Sequence, residues 1–300
     1  MNLAKNVVTA VLHNKNLKYL KSFQDSVNFE CNYNFHVLIF CDRIKQKFYN
    51  KKNITFINLK KKRTFAEVRK YLIDYVLKKN YKKIIFCDLE DFFSTNRIPY
   101  IIKNLKKNDI VINDINILEK KKIIAKNVFS KELRNKRLDI KLILEKNFFG
   151  FCNTGVKVKH LKKIFIPKNV IAVDWWIYSI LLNANLKAKF LSNVFTNYRI
   201  DNNNIIGLNK KDLVKKIHLI LEIKYIHYIN MIRYCGLKKF KNMRIKYDEE
   251  LNYIKNFKIF LKNKKNLKKT IDILIKKKSY NFPGWFGMIS NTNFNLNDIF

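Results

Sequence analysis

The chain predicts an α/β fold, with a mostly parallel sheet flanked by helices and a helical appendage at its C-terminal end. Three observations predict it. The runs Asn6–Leu12 (NVVTAVL), His36–Cys41 (HVLIFC) and Ile84–Cys87 (IIFC) are apolar without polar alternation, as strands buried on both faces require. Segments with helical spacing separate them, in the order strand, helix, strand, strand, helix, strand over roughly 90 residues. From Asp212 onward the pattern is helical.

The elements follow in chain order. Asn6–Leu12 is the first strand, and Leu17–Val27 has Leu, Tyr and Phe at helical spacing. His36–Cys41 is the second strand and ends in Asp42; Ile54–Leu59 (ITFINL) is the third. Thr64-Phe65-Ala66-Glu67 is a capping box, with the hydroxyl at the N-cap and the carboxylate three residues on. It opens a helix through about Lys78 with Phe65, Val68, Tyr71, Leu72 and Val76 on one face. After Ile84–Cys87 come a helix around Ile98–Leu105, strands at Asp109–Ile112 and Lys122–Phe129, and a helix at Lys131–Lys146. Phe148–Val158 reads as a strand broken at Gly150, Ile171–Leu186 as an apolar helix, and Ala188–Leu191 and Val194–Ile200 as strands. The polar turn Asp201–Gly207 sets a boundary: residues 1–207 form the α/β domain and 208–300 a basic, mostly helical region.

Composition bounds the function. Three hundred residues with 48% hydrophobic content allow a sizeable core, and 6 Gly and 3 Pro leave no room for long flexible linkers. The net charge of +39 suggests an anionic partner. Residues 208–300 carry 21 basic and 7 acidic side chains, however, so the charge is spread in proportion to length. A bias toward Lys, Asn, Ile, Phe and Tyr accounts for it first, and an anionic membrane or glycan surface second. No specific nucleic-acid partner is expected. Five cysteines without CxxC spacing fit a reducing compartment. The sequence shows neither a signal-peptide core nor a run of about 18 apolar residues, so a cytoplasmic protein is expected, peripheral at most to the inner face of the cell membrane.

The chemistry concentrates in Tyr81–Phe93 (YKKIIFCDLEDFF), where an apolar strand ends abruptly in Asp88, Glu90 and Asp91. Ligands of open α/β sheets bind at the carboxyl ends of the strands. Clustered carboxylates repel unless a cation neutralises them, and a hard divalent metal that also grips phosphate suits them. A solvated acidic turn is the plain alternative. Asp174 is a lone acid in an apolar helix, followed by Trp175 and Trp176. It is either a partner for the helix dipole or a base whose pKa is raised by its surroundings. Tyr198–Asn204 adds Arg199, a fork for phosphate or carboxylate, and Asp201, another oxygen ligand. No glycine-rich phosphate loop follows any strand, which speaks against a dinucleotide fold or P-loop.

Together these segments resemble the family 2 glycosyltransferases with a GT-A fold, and among them bacterial rhamnosyltransferase-like members acting on surface polysaccharides. The most specific parts are Val173-Asp174-Trp175-Trp176 and, downstream, Tyr198-Arg199-Ile200-Asp201-Asn202-Asn203-Asn204 ending in Gly207. CDLEDFF is similar to the family's strand-end DxDD, and Phe40-Cys41-Asp42 to its nucleotide-binding strand. The resemblance implies an inverting transfer from a nucleotide-diphosphate sugar to a saccharide or lipid-linked saccharide acceptor. It implies that Asp42, Asp88 and Arg199 bind the nucleotide, and that Asp88, Glu90 and Asp201 hold Mg²⁺ or Mn²⁺. Asp174 becomes the general base, with Trp175 and Trp176 against the acceptor. The sequence departs from the family at Arg43-Ile44-Lys45 after Asp42, at Glu90 for Asp, at Asp201 for His and at His13 for Tyr. Two other readings compete: a non-enzymatic polyanion binder and a sugar nucleotidyltransferase of similar sheet architecture.

Overall fold

A computed structural model describes residues 5–27, 34–50, 53–120, 122–200, 213–238, 240–276, 285–290 and 294. The boundary at Gly207 and the ligand expected at Asp201 lie outside these residues. The described strands are β1 (Asn6–Leu12), β2 (Phe35–Asp42), β3 (Ile54–Leu59), β4 (Lys83–Phe86), β5 (Phe92–Phe93), β6 (Ile110–Glu119), β7 (Lys122–Ala125), β8 (Thr154–Lys157) and β9 (Ala188–Ile200). They form one sheet in the order β3-β2-β1-β4-β8-β6-β9-β5, with β7 paired to β6. β1 pairs in parallel with β2 and β4, β2 with β3, and β6 with β9. β8 runs antiparallel between β4 and β6, so β6 and β9 point the same way as β1–β4. The sheet is therefore mostly parallel, and the carboxyl ends of β1, β2, β4 and β9 lie along one edge together with the amino end of β8.

The apolar runs are buried on both faces, as their lack of alternation predicts. Val7 and Val11 of β1 join one core cluster, and Val8, Ala10 and Leu12 the other. The second cluster lies under α1 (Leu20–Ser26) and α3 (Arg97–Asn104). The first is covered by α2 (Phe65–Lys78), α5 (Val173–Asn183), α6 (Leu213–Leu237), α7 (Lys241–Phe260) and α8 (Lys264–Lys276). Helices 6–8 thus share a core with the sheet.

α2 begins at the expected capping box: Thr64 Oγ1 accepts from Glu67 N–H at 3.2 Å, and Glu67 accepts from Thr64 N–H at 2.9 Å. Elsewhere some elements are shorter than the sequence suggests, while β6 runs on to Glu119 where only Asp109–Ile112 is expected. The helix expected over Lys131–Lys146 shrinks to α4 (Ser130–Leu133) and a 3-10 turn at Ile140–Ile143, with Asn135 between them at φ 64°. That left-handed conformation ends a right-handed helix, and asparagine tolerates it. Asn127, at φ 50°, similarly stops the strand after Ala125. Of Phe148–Val158 only β8 is a strand; ahead of it the Asn147 and Asn153 side chains bond backbone groups of Phe149, Gly150 and Phe148. The two short strands expected after Leu186 are instead one, β9, with a register shift against Asn113/Asp114.

Candidate active site

The strand ends named above ring a cleft of about 220 Å³. β1 delivers His13, β4 delivers Asp88 and Glu90, β9 delivers Tyr198, and the turn before β8 delivers Cys152. Asp174 enters from the first turn of α5. The architecture brings these residues together because parallel strands all end at one edge.

The loop after β4 is held from below by a buried arginine. Arg97 of α3 donates to Phe86 O (3.0 Å), Cys87 Sγ (3.1 Å) and Asn113 Oδ1 (2.7 Å), and lies over the Phe93 ring. A guanidinium with its donors satisfied tolerates burial where a bare cation would not. Asp88 pairs with Arg69 of α2 at 3.0 Å. Asp91 is buried and accepts from Arg199 N–H at 2.8 Å, while its Oδ2 is buried without a partner among the described residues. Burial, then the charges of Glu90 and Asp88, raise the Asp91 pKa well above the ordinary carboxylate range. Glu90 accepts from Asn16 Nδ2 at 3.0 Å; burial and Asp88 push its pKa up as well.

Asp88, Asp91 and Cys152 place one ligand atom each within 4.8 Å of one another. Two carboxylates gathered this closely, one with an orphaned oxygen, suit a hard divalent cation such as Mg²⁺ or Mn²⁺. Cys152 suits such a cation least, because thiolate sulfur is a softer ligand than Mg²⁺ or Mn²⁺ prefers, and burial raises its pKa well above the ordinary thiol value. Glu90, expected as a ligand, is not part of this group, whereas Asp91 is.

Asp42 is buried, and its Oδ2 is paired with His13 Nδ1 (3.1 Å) and Arg43 Nη2 (3.1 Å). Arg43 reaches back from φ 57°. His13, rather than Asp42, lines the cleft. Arg199 donates to Glu90 O at 2.9 Å and lies over the Tyr19 ring, 4.5 Å from its centroid, so it ties β9 to the acidic loop.

Asp174 is half-buried, and its Oδ1 accepts from Trp175 N–H at 2.7 Å. Burial raises its pKa from 3.8 to about 7, partly opposed by that hydrogen bond. The two tryptophans need correction. Trp175 and Trp176 are 0% and 1% exposed, and their indole N–H groups donate to Ile143 O and Phe165 O, each at 2.7 Å. Trp175 is sandwiched between the His227 ring (4.0 Å) and the Phe286 ring (5.2 Å). Both indoles are core, so neither meets an acceptor. Helix periodicity explains this: on a helix buried nearly all round, residues next to an inward acid also face the core.

The tryptophan that does line the cleft is Trp285, far downstream in the chain. Its backbone pairs with Asn147 in both directions (2.8 and 2.7 Å), and its indole covers Gly150, where a Cβ would sit 2.6 Å from Cη2. Glycine is required by that close approach. Lys224 of α6, buried, donates to Ile289 O and holds the same segment from behind. Sequence reasoning also missed Arg69. It occupies the stripe Phe65, Arg69, Leu72, Val76, where a cation on an apolar face was the available signal. Its Nη1 is buried without a partner among the described residues, and its guanidinium lies 4.2 Å from the Phe151 ring centroid.

No protein-family model matches the chain, and neither does any curated protein. Solved structures do match. S. aureus TarS residues 1–349 in complex with UDP-GlcNAc gives a TM-score of 0.52 at 13% identity, over 75% of this chain and 66% of that one. The mannosyltransferase PcManGT from Pyrobaculum calidifontis, in complex with GDP-Man and Mn²⁺, gives 0.52 at 10% identity, over 78% and 65%. GalNAc-T7 with UDP, GalNAc and Mn²⁺ gives 0.51 at 12% identity, over 84% and 57%. The chain spans less than two-thirds of the length of each. The likeness is one of fold, and the fold is the GT-A type shared by these glycosyltransferases.

Proposed function

We propose that this protein is an inverting glycosyltransferase that moves a sugar from a nucleotide-diphosphate sugar to a saccharide or lipid-linked saccharide hydroxyl. The supporting observation is the convergence of Asp88, Glu90 and Asp174 on one cleft at the carboxyl edge of the sheet, with the buried Asp91 within ligand distance of Asp88. The solved structures of similar fold contain UDP-GlcNAc, GDP-Man or UDP, two of them with Mn²⁺. The motif pattern favours a family 2, rhamnosyltransferase-like enzyme of surface polysaccharide synthesis. Residues 1–207 carry the catalytic domain, and the helical region 208–300 supports it and adds the wall at Trp285. Among the described residues no helix is long and apolar enough to cross a membrane; an anionic membrane surface is a further proposed partner.

Asp88 and Asp91, with Glu90 beside them and Asp201 next after β9 in the chain, would hold Mg²⁺ or Mn²⁺, which when bound neutralises charge on the donor diphosphate. Arg69 offers its unpartnered Nη1 to the diphosphate, and Arg199 fixes the acidic loop against β9. His13, held by the buried Asp42, forms the wall for the nucleotide base. Asp174 accepts the proton of the acceptor hydroxyl at its carboxylate as that oxygen attacks the anomeric carbon and the bond from that carbon to the diphosphate oxygen breaks, releasing the nucleoside diphosphate. A pKa of about 7 suits a base working near neutrality. Phe65, Val68, Ile171 and Phe286 restrict water, which would otherwise hydrolyse the donor.

The test is a panel of nucleoside-diphosphate sugars assayed for nucleoside diphosphate release with and without Mn²⁺. Release that needs the cation and disappears in Asp88→Asn supports the reading. Release of pyrophosphate from a sugar phosphate and a nucleoside triphosphate would replace it with the nucleotidyltransferase reading.

A further inference from the structure

At the opposite edge of the sheet lies a second concavity of about 460 Å³. It forms where β4 begins, β8 ends, and the C-terminal ends of α2 and α3 meet them. Six of its eleven lining residues are lysines: Lys82, Lys83, Lys106, Lys157, Lys159 and Lys162. Basic residues make up 62 of the chain's 300, about one in five, so the general basicity does not account for a groove that is more than half lysine. No carboxylate lines it. Among the described residues Lys157 is the one member with an ion pair, to Asp109 at 3.2 Å, and Asp109 is shared with His160 at 3.0 Å.

Two of the lysines are recessed. Lys83 is half-buried at the floor, where its Nζ donates to Ile102 O at 2.9 Å, and Lys157 is half-buried beside it. Burial, then Lys106 and Lys157, lower the Lys83 pKa. Like charges gathered in a concavity focus the field and raise the local concentration of anions. Ammonium groups with up to three donors each match phosphate oxygens as point charges.

We propose that this groove is a second anion site, separate from the cleft, that takes a small soluble ligand bearing two or more phosphate groups and needs no divalent cation. The recess selects against a bilayer. A flat array of headgroups meets the exposed Lys82, Lys106, Lys159 and Lys162 but not the floor at Lys83 and Lys157. An oligophosphate fits the volume and reaches both.

The full chain is titrated calorimetrically with tripolyphosphate in EDTA at about 0.15 M salt, where diffuse surface attraction is largely screened. One site is expected, weakened about tenfold or more in Lys106→Gln/Lys159→Gln, two positions at the rim of the groove whose loss leaves the core intact. The control Lys268→Gln/Lys269→Gln, on the exposed face of α8, is expected to change affinity by less than about twofold. Equal weakening by both pairs would show diffuse charge and overturn the site. Binding lost in Arg69→Gln but kept in the groove variant would place the anion in the cleft and overturn it equally. In a parallel arm, phosphatidylglycerol vesicles are sedimented with the protein. Vesicle binding that the groove variant abolishes, with no tripolyphosphate affinity, would replace the soluble ligand by a lipid headgroup. Absence of any binding refutes the proposal outright.

Discussion

Replacing Asp174 by asparagine should make the protein more stable and the enzyme inactive, and the size of the first effect follows from the site. Burial lifts the Asp174 pKa from 3.8 to about 7, a rise of roughly three pH units. At about 1.4 kcal/mol per unit that is a ceiling of about 4 kcal/mol disfavouring the charged form. The carboxyl is partly open to the cleft, so solvent screening reduces it, and about 2 kcal/mol is the working figure. For an acid raised in this way the stability is fully present below the unfolded pKa near 4. It is lost as pH rises through the folded value of about 7. A carboxamide at this position never ionises and escapes that loss. Thermal melts of Asp174→Asn and wild type should coincide near pH 4 and separate by about 4 °C or more near pH 8, with the variant the more stable. Transfer should fall by about 10²–10⁴-fold in the same variant. Melts that stay parallel at every pH would refute the claim of a desolvated carboxylate, and undiminished transfer would refute its role as base.

The remaining predictions concern the pH profile, the cation, and the packing. Transfer should rise with pH through about 7 and level off, with about a tenth of the plateau rate at pH 6; a profile flat from pH 5 to 8 would exclude Asp174 as the titrating base. Mn²⁺ should raise the melting temperature of the wild type by the binding relation, and EDTA should reverse it. Asp88→Asn should abolish the shift, and a shift that survives places the cation elsewhere. Trp175→Ala should cost about 3–5 kcal/mol in denaturant unfolding through loss of a fully buried indole; an unchanged midpoint with a raised acceptor KM would restore it as an acceptor platform. Gly155→Ala, whose Cβ would lie 2.4 Å from Ile101 Cγ2, should cost about 1–3 kcal/mol by overpacking β8 against α3, and a neutral midpoint would show that Ile101 can move aside.

Local patterns carried most of the fold. Ile54–Leu59 and the Thr64-capped helix to Lys78 lie where the sequence places them, because a buried apolar run and a capping box are decided within a few residues. The failures lie where conformation is set by single polar residues, as at Asn127 and Asn135, whose left-handed backbone no periodicity announces. In the site, the acids at strand ends were legible because charge after an apolar run is rare in this basic chain. Arg97 was not: it satisfies its donors with a carbonyl, a thiol and an amide drawn from separate segments. Cys152 and Trp285 were hidden for the same reason, since their proximity to Asp88 and Asp174 depends on an antiparallel strand and on a return of the chain that local spacing cannot encode.

That return of the chain gives synthesis a direction. The sheet, helices α1–α5 and the carboxylates Asp88, Glu90, Asp91 and Asp174 are encoded by Ile200, yet the surface that closes over Gly150 is supplied only when residues 285–290 emerge. A nascent chain released after Lys276 would own its acids and its scaffold but have a breach beside Gly150. The wall of the cleft beside Gly150 therefore comes from a segment far beyond its acids in the sequence, and a chain stopped before Trp285 would also lose Phe286 from the stack on Trp175.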